Sequence, residues 1–213
     1  MTFVSIAGNI GSGKTTLAKK IAERFGYRLF VESTESPLWS KFYKDVENGV
    51  KPSEYAFLLQ EHYLFSRAAT HLDMQYFDGS SVQDRTIYED RGIFARHLHD
   101  LGFISDEKYG DYLNDFDVCT KSLRQPDLLV ILHASVGTLR KRIKQRLEMD
   151  KGRETERQLI NPKSTYLEEL GFLYMNFMND YDGKNIIIPT TDLNFVDNPG
   201  HLEIVLDMIK RKI

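Results

Sequence analysis

What the chain has little of narrows the reading before any motif is considered. Cys119 is its single cysteine in 213 residues. No internal disulfide can form, a reducing compartment is the natural setting, and the thiol is expected to serve as a small buried hydrophobe. Excess positive charge is missing as well. A formal net charge of -3 offers no basic field for nucleic acid or an anionic membrane, although Lys and Arg gather between residues 140 and 157. No apolar run approaches the ~20 residues of a membrane span. Nothing resembling a signal segment precedes the first strand, which begins at residue 2. Linkers, internal repeats and low-complexity tracts are also missing. The expectation is a cytoplasmic chain of one domain, residues 1–213, whose 41% hydrophobic content suffices for a sizeable core.

What is present is organised around the stretch from residue 5 to residue 16. An apolar strand over residues 2–7 runs into Gly8-Asn9-Ile10-Gly11-Ser12-Gly13-Lys14-Thr15-Thr16, the spacing of a phosphate-cradling P-loop, and an amphipathic helix follows. The glycines let successive N–H groups converge on an anion, and the helix adds the positive end of its dipole. Lys14 would reach the outer phosphates, and Thr15 would place its hydroxyl on Mg²⁺.

Beyond the loop, β and α signals alternate. A helix over 16–25 stopped by Gly26 precedes a strand over 27–31 with Glu32 at its carboxyl edge, where open parallel sheets bind ligands. Ser36-Pro37 opens a helix through Trp39, Phe42 and Tyr43. A long, largely buried helix over 53–76 carries Gln60 and Arg67, two turns apart on one face. His62 and His71 are expected as surface or packing residues. A weak strand over 79–83 leads into Asp84-Arg85-Thr86. A helix over 87–101 with Asp90 and Arg91, a helix capped by Ser105, and the strand 128–132 come next. The helix from about residue 136 is cationic towards its end, and 147–157 reads as a mobile, arginine-rich flap. A helix over 166–178, a strand over 185–188 and a helix started by Asn198-Pro199 complete the chain. The pattern predicts an α/β, doubly wound five-stranded parallel sheet with helices on both faces and an arginine-rich lid at about 142–160.

A phosphate loop alone permits several chemistries, and other residues choose among them. A guanine-specific GTPase would need an Asn-Lys-x-Asp reader, and none occurs. A motor ATPase would run several hydrophobic residues into its acidic partner, whereas only Val82 and Gln83 precede Asp84. Phosphoryl transfer to a small acceptor needs a carboxylate near the acceptor hydroxyl, an acid on the Mg²⁺ side, and cations on the transferring oxygens. Glu32, Asp84, Arg85 and the 142–157 cluster supply these. A kinase of another small molecule, such as a nucleoside monophosphate, and a nucleotide-dependent regulatory module without turnover are the alternatives.

The P-loop segment, Phe42-Tyr43-Lys44-Asp45, Gln60 with Arg67, the block from Asp84-Arg85-Thr86 through Glu89-Asp90-Arg91 to Ala95, and Arg142 to Arg146 together resemble the deoxynucleoside kinases, nearest to those of deoxyadenosine, deoxyguanosine and deoxycytidine. The resemblance implies transfer of the γ-phosphoryl group of ATP, with Mg²⁺, to a deoxynucleoside 5'-hydroxyl in nucleotide salvage, with deoxyadenosine ranked first. Glu32 would orient that hydroxyl and take its proton, with Asp84 the competing base. Arg85 would bridge acceptor and phosphoryl group, and Tyr43 and Glu156 would hold the 3'-hydroxyl. Gln60 would read the base edge, and Arg67 with Asp90 would favour purines or cytosine over thymine. Arg142, Arg146 and Arg153 would close over the phosphates. Residues 147–151 interrupt the family's usual lid, and Ser33 stands where a proline often follows Glu32. Asp192-Leu193-Asn194-Phe195 looks like the loop that receives the donor adenine. A homodimer through two helices beside the nucleoside pocket is also implied, with no nucleic-acid or membrane partner.

Overall fold

The computed structural model describes residues 1–31, 36–161 and 163–213, with backbone alone for 151–155. Glu32 and Ser33 therefore lie outside the described residues, as does the side chain of Arg153. Five parallel strands make one sheet in the order β2-β3-β1-β4-β5: β1 (Phe3–Gly8), β2 (Arg28–Phe30), β3 (Ser81–Asp84), β4 (Leu128–His133) and β5 (Asn185–Pro189). Every residue of β1 is buried, as expected of a central strand covered on both faces.

On one face, α1 (Lys14–Phe25) and α8 (Pro199–Lys210) pack Leu17, Ile21, Val205 and Ile209 against Val4, Ile6 and Val130. On the other, α7 (Tyr166–Asp180) sets Phe177 and Met178 against Ala7, Leu129 and Ile131. A second core joins α2 (Leu38–Glu47), α3 (Glu54–Tyr76), α4 (Arg96–Asp100) and α5 (Asp106–Thr120) through Phe42, Leu59, Leu64, Leu98 and Tyr112. The remaining helix, α6 (Val136–Met149), is followed by a 3₁₀ stretch, Lys151–Ile160.

The expected stop and start signals act as read. Gly26 ends α1 in the left-handed conformation, and Ser53, Ser105 and Asn198 accept N–H groups of the first turns they precede. Other expectations are corrected. The first of these concerns β3, which is a full inner strand with all residues buried although its sequence is Ser-Val-Gln-Asp. The strand expected over 79–83 is thus present over 81–84, its signal weak because its polar groups are paired across the sheet: the Ser5 hydroxyl donates to Gln83 Oε1 at 3.2 Å. The helix expected over 87–101 is not continuous; a π-helical turn, Asp90–Ala95, precedes the short α4. It begins where consecutive carboxylates, Glu89 and Asp90, are both fully buried, and such turns often mark functional segments. The stretch read as a flap continues α6 to Met149 and then coils as the 3₁₀ helix. Cys119 is only partly buried.

His71 is packed, as expected, within the fold. Its ring meets Phe3 edge-on at 4.9 Å, and Nε2 donates to the Arg124 carbonyl at 2.7 Å. Burial lowers its pKa, with the carbonyl bond acting in the opposite sense. The folded state therefore keeps His71 neutral while the unfolded chain takes up a proton near pH 6.5, so stability is lost as pH falls below that value, at up to about 1.4 kcal/mol per pH unit. Urea midpoints between pH 7.5 and 5 should fall more steeply for the wild type than for His71→Asn.

Candidate active site

The carboxyl edge of the sheet gathers the site. Register pairs Ile6 of β1 with Asp84 of β3, and the Arg85 N–H continues the ladder to the Ile6 carbonyl at 2.9 Å. The acid–arginine turn thus leaves the sheet one strand away from the phosphate loop. Thr15 Oγ1 donates to Asp84 Oδ2 at 2.5 Å, while Asp84 Oδ1, buried, has no hydrogen-bond partner among the described residues. The site is acidic and hydroxyl-bearing at one point, with an acceptor oxygen left over. Among the described residues no cluster of three or more His, Cys, Asp or Glu could hold a metal by itself. Thr15 and Asp84 instead suit a Mg²⁺ ion that shares its ligands with nucleotide phosphates, as that ion usually does.

The loop itself is tightly held. Gly8 has φ 148°, and a Cβ there would come within 2.7 Å of the Leu132 carbonyl; Gly13 has φ 102° and abuts Phe195 at 2.9 Å in the same sense. Neither position accepts a side chain without displacement. Lys14 Nζ donates to the carbonyls of Gly8 at 2.7 Å and Asn9 at 3.2 Å. Asn9 in turn ties the loop to α7 through the Leu167 carbonyl at 3.0 Å. Ile10, Gly11, Ser12 and Thr16 complete the segment as expected, at the entry to α1.

Arg85 stands at φ 74°, a left-handed conformation costly for a side-chain-bearing residue and concentrated at functional sites. Its guanidinium lies 4.7 Å over the Phe94 ring and 3.4 Å from Glu89 Oε1. Glu89 was not singled out by the sequence. A carboxylate in the first turn after Asp-Arg-Thr was the available signal, but it reads equally as a dipole-favoured surface acid.

Gln60 and Arg67 share the buried face of α3, as spaced, with Tyr63 between them and its ring 4.9 Å from the Arg67 guanidinium. Asp90 forms an ion pair with Arg67, joining the two residues that sequence reasoning had coupled. A small pocket lined by Val31, Tyr63, Arg67, Gln83 and Asp84 connects this pair to the acid–arginine turn. On its other side Trp39 stacks on Tyr43 with ring centroids 5.3 Å apart. Burial raises the Tyr43 pKa, a hydrogen bond from Gln158 lowers it, and the Glu156 carboxylate raises it. The phenol remains protonated and able to donate.

Of the arginines expected over the phosphates, Arg142 and Arg146 are engaged elsewhere. Arg142 donates to the Thr190 hydroxyl at 3.0 Å and carbonyl at 2.5 Å and reaches the Ser12 carbonyl at 3.5 Å, bracing β5 against the loop. Arg146 donates through Nε and Nη2 to Glu156 at 3.0 and 2.6 Å. Asp192, Leu193, Asn194 and Phe195 follow β5 beside the loop, with Phe195 buried against Gly13.

A P-loop facing an acid–arginine turn at the carboxyl edge of a parallel sheet is the arrangement of an ATP-dependent phosphotransferase. Comparison with known proteins is specific: residues 4–213 match the family model described as deoxynucleoside kinase. The deoxyadenosine/deoxycytidine kinase of Bacillus subtilis is 31% identical over 212 residues, 98% of this chain and 91% of that protein. The deoxyguanosine kinase of Lactobacillus acidophilus is 32% identical over 225 residues, 100% of this chain and 91% of that protein. The structure of deoxyadenosine kinase from M. mycoides with the products dCMP and a flexible dCDP superimposes with a TM-score of 0.78 at 25% identity, covering 99% of this chain and 100% of that one. The chain belongs to the deoxynucleoside kinase family.

Because Arg67 and Asp90 are both buried, Asp90→Ala should strand a guanidinium in the core and destabilise the protein by about 3 kcal/mol. Removing both charges in Arg67→Met with Asp90→Ala should restore at least about half of that loss, read from urea unfolding.

Proposed function

We propose that this enzyme transfers the γ-phosphoryl group of Mg²⁺-ATP to the 5'-hydroxyl of a deoxynucleoside, with deoxyadenosine preferred, then deoxyguanosine and deoxycytidine. The observation that carries the reading is the Thr15–Asp84 hydrogen bond, which joins the acid–arginine turn to the phosphate loop within one pocket of the buried Arg67–Asp90 pair. A nucleoside would lie with its sugar hydroxyl at the loop and its base edge at α3.

The residues divide as follows. Backbone N–H groups from Gly8 to Thr16 cradle the phosphates, and Lys14 turns from the loop carbonyls to the outer phosphate oxygens. Thr15 and Asp84 would hold the Mg²⁺, which would supply charge against that developing on the transferring oxygens. Arg85 bridges the acceptor oxygen and the phosphoryl group. The bond from O5' to the γ-phosphorus forms as the bond from the γ-phosphorus to the β–γ bridging oxygen breaks and ADP leaves. The hydroxyl proton passes to a carboxylate, Glu32 in preference to Asp84. Positioning and charge stabilisation supply most of the rate. Tyr43 and Glu156 grip the 3'-hydroxyl, Gln60 reads the base edge, and Arg67 with Asp90 completes purine or cytosine recognition. Relatives carrying deoxyadenosine, deoxyguanosine and deoxycytidine kinase names support that range.

Arg146 and Arg153 close over the phosphates once nucleotide competes for Arg146 against Glu156, and Arg142 completes the lid from its base. The donor adenine rests near residues 192–195. Phe65, Tyr76 and Val118, exposed on α3 and α5, support a homodimer through these helices. The working compartment is the cytoplasm; no helix of the described residues is long and apolar enough to cross a membrane.

Phosphorylation assays with the four deoxynucleosides, adenosine and dAMP test the reading: deoxyadenosine should give dAMP fastest, and thymidine and dAMP should be poor acceptors. Lys14→Ala and Arg85→Ala should each lower kcat by about 10²-fold or more while the fold is retained, read by circular dichroism. Glu32→Gln and Asp84→Asn should both be severely impaired, with only Asp84→Asn altering the Mg²⁺ dependence. Equal dependence in the two variants would remove the division of roles between them.

A further inference from the structure

Glu89 is fully buried directly behind the phosphate loop, and no step described above uses it. An isolated carboxylate there would be strongly destabilising, so the groups that meet it are informative. Oε1 accepts the Gly8 N–H at 3.1 Å and the Tyr174 phenol, and lies 3.4 Å from Arg85 Nη1. Oε2 accepts the Thr86 N–H at 2.9 Å. These donors belong to separate parts of the machinery: the first peptide of the phosphate loop, the turn after β3, the arginine that faces the reacting groups, and α7. Burial first, and then the Glu89 charge, hold the Tyr174 pKa well above its ordinary value, so the phenol stays a donor.

We propose that Glu89 is a positioning residue for phosphoryl transfer, fixing the Arg85 guanidinium relative to the first peptide of the phosphate loop. Arginine carries a long, freely rotating side chain, and here it rises from a left-handed backbone position. Among the contacts that restrain its head are the Phe94 face, which sets the plane, and the Glu89 carboxylate, which sets the direction. The oxygen that restrains Arg85 is the same one that receives the Gly8 N–H. A shift of the loop is therefore felt by the guanidinium, and the two move as one body. Asp90, the next residue, turns instead to Arg67. Adjacent carboxylates at the start of one π-helical turn thus serve the phosphate end and the base end of the pocket. Glu89 touches none of the reacting atoms and acts through Arg85.

This inference rests on the kinase reading, and in particular on the role of Arg85. The test compares kcat and both KM values for the wild type, Glu89→Gln, Arg85→Ala and the double variant, using transfer of labelled phosphate to deoxyadenosine to read residual rates. Glu89→Gln should keep KM for ATP and deoxyadenosine within about 2-fold while kcat falls about 10- to 100-fold. The double variant should stay within about 3-fold of Arg85→Ala, because no guanidinium remains to be directed. Wild-type kcat in Glu89→Gln would overturn the proposal, as would a double variant about 10-fold or more below Arg85→Ala. If Glu89→Gln does not fold, Glu89→Asp retains the buried charge but withdraws it. It should lose kcat about 5-fold or more in the Arg85 background only, and wild-type kcat there would also overturn the proposal. A wild-type protein that phosphorylates no deoxynucleoside would instead end the kinase reading itself, a result distinct from an active wild type with an unaffected Glu89 variant.

Discussion

The parallel pairing of β3 with β1 is the constraint on which the site depends. Ile6 opposite Asp84 brings an acid to within hydrogen-bonding reach of Thr15, the residue after the loop lysine. A one-residue slip in that register would turn Asp84 to the opposite face of the sheet and set Gln83 in its place. The strand that carries the acid is too polar to hold its position by hydropathy. Its place is secured from both sides, by ladders to β1 and β2 and by the Ser5–Gln83 bond across them. The chemistry is thus registered by backbone hydrogen bonds, which tolerate little error.

Around this edge the protein keeps several charges out of water: Lys14, Arg67, Asp84, Arg85, Glu89 and Asp90 are all buried. Such groups rarely add to stability, because desolvation offsets much of their attraction. Their arrangement instead fixes directions. Arg67 with Asp90, Arg85 with Glu89, and Thr15 with Asp84 form three short links radiating from the end of β3. The left-handed backbone at Arg85 costs on the order of 1–3 kcal/mol and persists because these links over-determine the turn.

The cationic segment illustrates how the same residue types serve two states. Arg142 hydrogen-bonds to the buried Thr190 just after β5, and Arg146 to Glu156. A triphosphate, by its charge and oxygen count, would be a stronger partner for either guanidinium, and the closure proposed above would ask only for a change of partner.

The sequence by itself determined the phosphate loop, the βα alternation, the helix caps at Ser53, Ser105 and Asn198, and the pairing of Gln60 with Arg67 on one face of α3. All of these depend on contacts within a few residues, or on a spacing of one or two helical turns. Only the tertiary structure decided that Ser-Val-Gln-Asp is an inner strand, that the segment after Asp84-Arg85-Thr86 opens as a π turn, and that Glu89 points under the loop rather than into solvent. Those outcomes rest on partners 78 to 85 positions away, Ser5 for Gln83, Gly8 and Tyr174 for Glu89. Polar residues satisfied at such range leave no local periodicity to read. A buried carboxylate is recognisable only once the donors that solvate it are folded around it.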